Sequence, residues 1–299
     1  MASYVRRPAL HRRLKEQLHD KVDGQRQDSL IVVVSGLGGV GKSQLVLNYL
    51  QENRCDYSAS FWIDASRQVS IDRDFLQIYR LLIGGQATAE SALPKIEDVI
   101  QVVKGWFNGR DGRWLLVFDS ADAIGDEEED DSSLDLAKYL PDSPGTHIII
   151  TTRNSSARDI TTAQPIVVGK MEMAEAVDLF FKCAGLKDRS QELEVDEIVE
   201  ELGCLALAVN LAGHYTSKTP RLGRDLRNYL PEYRQRRKQL LGQKPKKLIH
   251  QYSESVLTTW EASFGAVERR SATAARLLIL LAFLSYDRYL HGSFLRRYR

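Results

Sequence analysis

The feature that most constrains this chain is the octapeptide at residues 36–43, GLGGVGKS. It fits the pattern G-x-x-x-x-G-K-[ST], and its surroundings are the ones that pattern requires. An apolar run at 30–34 leads into it, and a helical pattern at 42–51 leads out. Gly36, Gly38, Gly39 and Gly41 let the backbone turn with its N–H groups facing inward and no Cβ in the way. The main chain of Val40 completes the cradle. Gln44 continues it into a helix whose N-terminus adds the positive end of its dipole. Lys42 brings a full charge to β- and γ-phosphates, and the Ser43 hydroxyl is a hard oxygen ligand for magnesium. The reading is a site for a purine nucleoside di- or triphosphate.

Four further apolar runs, at 61–63, 114–118, 147–150 and, more weakly, 166–168, are short and rich in Val, Ile and aromatics. None alternates cleanly with polar residues, which is how strands read when both faces are covered. Helical patterns at 72–82 and 96–106 separate them, and a further one at 7–22 carries Leu10, Leu14, Leu18 and Val22. Strand–helix–strand succession predicts right-handed βαβ units. The expected fold is therefore α/β, a three-layer P-loop nucleoside-triphosphatase domain over residues 1–168 with a five-stranded parallel sheet. Beyond residue 170 strand signals stop, and segments 173–184, 193–216, 221–240, 249–263 and 271–284 read as helices.

Two candidates extend the phosphate loop. The run 113–118 ends in Asp119, a strand-end carboxylate placed to share magnesium with Ser43. Ser120 follows it where a hydrolytic protein often keeps a second carboxylate. Asp122 is the nearest acidic alternative as a base, and slow hydrolysis is expected. The run 147–150 ends in Thr151, Thr152 and Arg153 at the same sheet edge. An arginine there can sense the γ-phosphate, present in ATP and absent in ADP; a surface ion pair is the other reading.

Other classes find little support. With 41 basic and 40 acidic residues the net charge is +1, which gives no global pull toward nucleic acid or membrane. The basic stretch 234–247 reads as a solvated face and linker, with a phosphate-backbone contact as the alternative. The acidic stretch 126–131 reads as a solvated loop. Cys55, Cys183 and Cys204 form no CxxC pair, which fits reduced thiols of a cytoplasmic protein. The longest apolar run, 277–284, falls short of the roughly 20 residues of a membrane span and reads as a buried helix. No guanine-reading Asn-Lys-x-Asp and no nucleophile motif occurs, and His147 and His214 read as structural or surface residues.

Taken in order, these elements resemble the NB-ARC module of STAND-class nucleoside triphosphatases, in wording closest to filamentous-fungal NLR-like versions. Tyr4-Val5-Arg6-Arg7 resembles the family's opening Phe-Val-Gly-Arg, so Val5 and Arg7 carry over to the adenine side. GLGGVGKSQL is similar to its Walker A, Phe61-Trp62-Ile63-Asp64-Ala65 to its second-strand motif, residues 114–122 to its Walker B, and Ile149-Ile150-Thr151-Thr152-Arg153 to its sensor. Leu202-Gly203-Cys204-Leu205-Ala206-Leu207-Ala208 resembles the Gly-Leu-Pro-Leu-type motif of the helical ARC1 subdomain. Ala206 stands where the family has Pro against ADP, and Leu207 packs beside it. The segment from Ser255-Val256-Leu257-Thr258-Thr259-Trp260-Glu261 looks like the start of a winged helix.

The resemblance implies an ARC1-like subdomain at 169–242, a partial winged helix at 243–299 and a truncated or minimal member, since the family's Met-His-Asp motif is not found. It implies an ATP/ADP switch with magnesium, slow hydrolysis, self-assembly into a homo-oligomer in the ATP state and immune or cell-death-like signalling through an unknown protein partner. An inert interaction module and a P-loop small-molecule kinase are the alternatives. The kinase would need an Arg-rich lid, for which Arg153, Arg158 and the 234–237 cluster are the only candidates.

Overall fold

Apolar runs without alternation should lie inside a sheet, and they do. In the computed structural model, which describes residues 4–19, 28–83, 94–108, 110–124, 134–154, 157, 160–234, 268 and 271–283, five strands form one sheet. They are β1 (Leu30–Ser35), β2 (Ala59–Asp64), β3 (Trp114–Asp119), β4 (Thr146–Thr152) and β5 (Ile166–Val167). Their spatial order is β2-β3-β4-β1-β5 and every pairing is parallel. The central β4 is buried at all seven positions. The edges are less covered, and Val167 of β5 is 46% exposed. That gradient is why the fifth run is weakest in sequence: an edge strand needs less apolar surface.

Helices cover both faces. α3 (Gln68–Ile83) and α4 (Ile96–Asn108) enclose Val33, Ile63, Leu116, Phe118, Ile148 and Ile150 with their own Ile71, Phe75, Val99, Val103 and Phe107. The alternate positions Val32, Val34, Val117 and Ile149 point to the other face by strand geometry and are equally buried. There α1 (Pro8–His19) and α2 (Lys42–Glu52) pack on β1 and β4. The expected three layers are present. α1 buries Leu14 and Leu18, while Val22 of the predicted repeat lies outside the described residues.

The parallel register lines up the strands' carboxyl ends. Ser35 sits opposite Thr152, Phe118 opposite Ile150 and Asp64 opposite Asp119. The loops after β1, β3 and β4 therefore leave from one edge, where open parallel sheets bind ligands.

The helical segment departs from expectation at one place. The predicted helix at 193–216 is two helices, α6 (Glu192–Glu201) and α7 (Ala206–Lys218), following α5 (Met173–Ala184). Between them Gly203 and Cys204 take left-handed backbone angles, φ 64° and 52°. Gly203 donates its N–H to Glu200 and Cys204 to Val199, closing the end of α6. This is a helix stop of the kind glycine favours. The predicted segment 221–240 is likewise broken: α8 (Pro220–Arg224) is short and a 3-10 turn, Leu226–Asn228, follows.

The chain divides into two compact units, residues 1–226 and 227–299. In the second, a helix spans Ala272–Phe283. It was expected to be buried, yet Leu277 is 56% exposed while Ala275 is buried. Two residues apart on a helix means nearly opposite faces, so one of them must turn outward. The predicted helix 249–263, residues 126–131 and all but Arg234 of the basic stretch lie outside the described residues.

Candidate functional site

The phosphate loop is held in shape by its neighbours on three sides. Gly36 donates its N–H to the Thr152 carbonyl at 3.2 Å, which ties the start of the loop to the end of β4. A Cβ on Gly36 would stand 2.2 Å from the Val168 carbonyl oxygen, so the close approach of β5 requires glycine there. Gly39 and Gly41 adopt positive φ of 80° and 98°, and Gly41 caps the N-terminus of α2.

Lys42 is 8% exposed, and its ammonium donates to the carbonyls of Gly36 (2.8 Å) and Leu37 (3.0 Å). Burial pulls its pKa down to about 8, against the opposing pull of Asp122; Arg153 lowers it further and Asp119 raises it. The cation is thus in electrostatic reach of every charged group expected at this edge.

Ser43 and Asp119 meet directly. Ser43 Oγ donates to Asp119 Oδ1 at 2.6 Å, and Thr151 Oγ1 donates to the same oxygen at 2.5 Å. Burial raises the Asp119 pKa, and the two hydroxyls oppose that shift. A buried hydroxyl and a carboxylate with converging oxygens are the hard donor set that suits magnesium. Thr151 was read only as part of a strand end; the β3–β4 register beside Asp119 makes it a partner of that carboxylate. Thr151 Oγ1 also accepts the N–H of Ser120, whose φ is 64°.

Asp122 and Arg153 form the third group. Asp122 Oδ1 accepts the Arg153 backbone N–H at 2.6 Å, and its Oδ2 lies 2.9 Å from Arg153 Nε. The residue read as an alternative base is engaged with the residue read as a sensor.

The first turn of α7 closes over the loop. Leu207 donates its N–H to the Gly39 carbonyl at 2.9 Å. A Cβ on Gly39 would meet Leu207 Cβ at 3.1 Å, and one on Gly41 would meet Ala206 Cβ at 3.8 Å. The structure therefore brings Ala206 and Leu207 onto the glycines of the loop itself. Gly38, Val40 and Gln44 lie in the same loop and helix start, and Val40 is buried.

Val5 and Arg7 have different surroundings. Arg7 binds Glu175 through Nε (3.1 Å) and the carbonyls of Gly169 (3.1 Å) and Lys170 (2.8 Å). It pins the amino-terminal segment to the junction between β5 and α5. Val5 lines an open cleft of about 580 Å³ with Tyr4, Asn48, Glu52, Phe181 and Lys182. No residue of the 36–43 loop lines that cleft.

Comparison with known proteins follows the same outline. The family model described as NB-ARC domain matches residues 9–190. A nucleotide-binding leucine-rich repeat (NLR)-like protein of Hyaloscypha variabilis is 28% identical over 280 residues. That alignment covers 86% of this chain, but the chain spans only 27% of that protein's length. Among solved structures, Cdc6p from Pyrobaculum aerophilum superposes with a TM-score of 0.51 at 16% identity, over 73% of this chain and 65% of that one. At this identity the likeness is one of fold. A STAND protein with a tetratricopeptide repeat sensor from Pyrococcus horikoshii aligns at a TM-score of 0.43 and 15% identity, over 71% of this chain and 30% of that one.

Proposed function

The chain belongs to the NB-ARC family, and from that premise we propose that it is an adenine-nucleotide switch. In this reading it holds ADP in a closed state, exchanges it for ATP, hydrolyses ATP slowly and self-assembles when ATP is bound. One observation carries the reading. The Leu207 N–H on the Gly39 carbonyl makes the helical segment a direct neighbour of the phosphate loop. A change in the loop's occupant is then felt by α7 without any intermediary. For such a device to switch, its two states must lie within a few kcal/mol of each other.

The residues have separate tasks. The main chain from Gly36 to Gly41 and the Lys42 ammonium hold the β- and γ-phosphates. Ser43 and Asp119 would hold magnesium, which when bound neutralises phosphate charge. Arg153 reads the γ-phosphate. Asp122 is engaged with Arg153, and Ser120 has no acid function, so neither of these positions supplies a strong general base. That supports slow turnover. Signalling in an immune or cell-death-like context is the family-level part of the proposal.

The test is the nucleotide carried by the purified protein. The protein is denatured and the released nucleotide is separated and quantified, with Lys42→Ala alongside. Near-stoichiometric ADP from the wild type and none from the variant is the expected result. Ligand a hundredfold above Kd should also add about 2.7 kcal/mol to stability. An empty wild type whose stability does not respond to added ADP would refute the switch.

A further inference from the structure

The pair formed by Asp122 and Arg153 has a geometry that a simple surface ion pair lacks. One carboxylate grips a single residue twice, at its backbone N–H through Oδ1 and at its guanidinium through Oδ2. Thr152 Oγ1 makes a third, longer approach to Oδ1 at 3.4 Å. The backbone bond fixes the end of β4, and the side-chain bond fixes the direction of the guanidinium. Asp122 and Arg153 are each about one-third exposed on their side chains, 33% and 29%. They are therefore close enough to solvent to exchange partners and buried enough for the exchange to matter. Both charges act on Lys42, the residue at the heart of the phosphate loop.

We propose that Asp122 is a positioning residue that competes with the γ-phosphate for the Arg153 guanidinium and so sets the preference for ADP over ATP. The inference rests on the nucleotide-switch reading above. With a diphosphate, Arg153 keeps its carboxylate partner. A triphosphate offers a second anion to the same guanidinium, and Arg153 must leave Asp122 or share itself between two negative groups. Either choice costs part of the existing bond, and that cost falls on ATP alone. The backbone bond is untouched by the exchange, because the Arg153 N–H can stay on Oδ1 while the side chain swings. Asp122 thus restrains the sensor without being consumed as a catalyst.

The experiment measures the affinity of ADP and of a non-hydrolysable ATP analogue, each with magnesium, for the wild type, Asp122→Asn, Arg153→Ala and the double variant. Asp122→Asn retains an oxygen for the backbone N–H and loses the charge. It should tighten the analogue about tenfold relative to ADP, the size of a partly exposed charge-assisted bond. Arg153→Ala should weaken the analogue while leaving ADP within about twofold. In the double variant most of the gain from Asp122→Asn should disappear, since competition needs the guanidinium.

ADP affinity reports folding in every variant, so a misfolded protein is recognised at once; Asp122→Glu, which keeps the charge, should then hold the wild-type ratio. ADP binding that needs Lys42, with an analogue-to-ADP ratio unmoved by Asp122→Asn, would overturn this inference alone. So would a gain that persists in full without Arg153, which would mean direct repulsion of phosphate. Failure of the wild type to bind ADP at all would remove the switch reading, and this inference with it.

Discussion

The two ends of the sheet both bury polar side chains, and they do so in opposite ways. At the amino edge Tyr57 Oη lies 3.0 Å from His147 Nδ1 and 2.8 Å from Tyr49 Oη, which in turn is 2.9 Å from His19 Nε2. Phenols and imidazoles here pass hydrogen bonds among themselves, His19 Nε2 also lies 3.7 Å from Asp56 Oδ2, and burial pushes the Tyr57 phenol up to about 12. At the carboxyl edge Lys42, Asp119, Asp122 and Arg153 bring four formal charges together beside a loop with positive-φ glycines. At the amino edge each phenol is held by its hydrogen-bond partners, although Gly112 there also takes a positive φ of 141°. At the carboxyl edge the charged groups are held by the loop's own carbonyls, by hydroxyls and by each other, contacts that a ligand can replace. Buried polarity alone therefore does not mark the site; a buried ammonium folded against a glycine loop that opens a helix does.

The largest effect that would sharpen this contrast is at Lys42. Lys42→Ala should lower ADP affinity more than a hundredfold, which is at least about 2.7 kcal/mol, measured by titration calorimetry, with the fold retained by circular dichroism. Gly36→Ala comes next. Its Cβ would collide with the Val168 carbonyl at 2.2 Å, and strain at a backbone position of this kind costs about 3 kcal/mol or more in chemical denaturation.

The amino edge should behave otherwise. Tyr57→Phe removes one hydrogen bond each from His147 and Tyr49 and should cost about 1–3 kcal/mol of stability, with ADP affinity unchanged. A loss of nucleotide binding in that variant would break the comparison. A smaller effect tests a buried histidine near the same helices. His11 is 3% exposed with its Nε2 2.5 Å from Tyr4 Oη, and burial lowers its pKa. The folded state then resists protonation, so stability should fall as pH drops below the unfolded value of about 6.5. His11→Gln should flatten the loss of Tm between pH 7.5 and 5.5.

The smallest effect concerns Ala206. It is the first residue of α7, and Leu205 before it is extended, with φ −80° and ψ 118°. Proline suits that position, since an N–H there has no helical partner and the fixed φ is already correct. Ala206→Pro should be neutral or add up to about 1 kcal/mol. A clear drop in Tm would show that the Ala206 N–H is needed.

These particular residues also show how far the chain could be read without coordinates. β1 and β4 were legible because a strand buried on both faces must be apolar throughout. The phosphate loop was legible because its glycines and Lys42 act within eight consecutive residues. The break at Gly203 was missed although its signal was present: a glycine just past the C-cap Leu202 of α6 is a stop mark, but the apolar pattern runs on across it. Arg7 was tied by resemblance to the adenine side, and its observed partner Glu175 lies 168 positions away. No local pattern encodes such a pair. The contact of Asp122 with Arg153 was hidden for the same reason. Arg153 follows another strand, and the β3–β4 pairing brings the two strand ends together.

The contact between Leu207 and Gly39 has one more consequence. The two residues are 168 positions apart in the chain, so the phosphate loop leaves the ribosome long before the helix turn that covers it. At about 5–20 residues per second the interval is roughly 8 to 34 seconds. During that time β1 and α2 can exist as a nascent chain whose loop is open on the α7 side. The turn that packs on the loop is thus made only after every strand of the sheet.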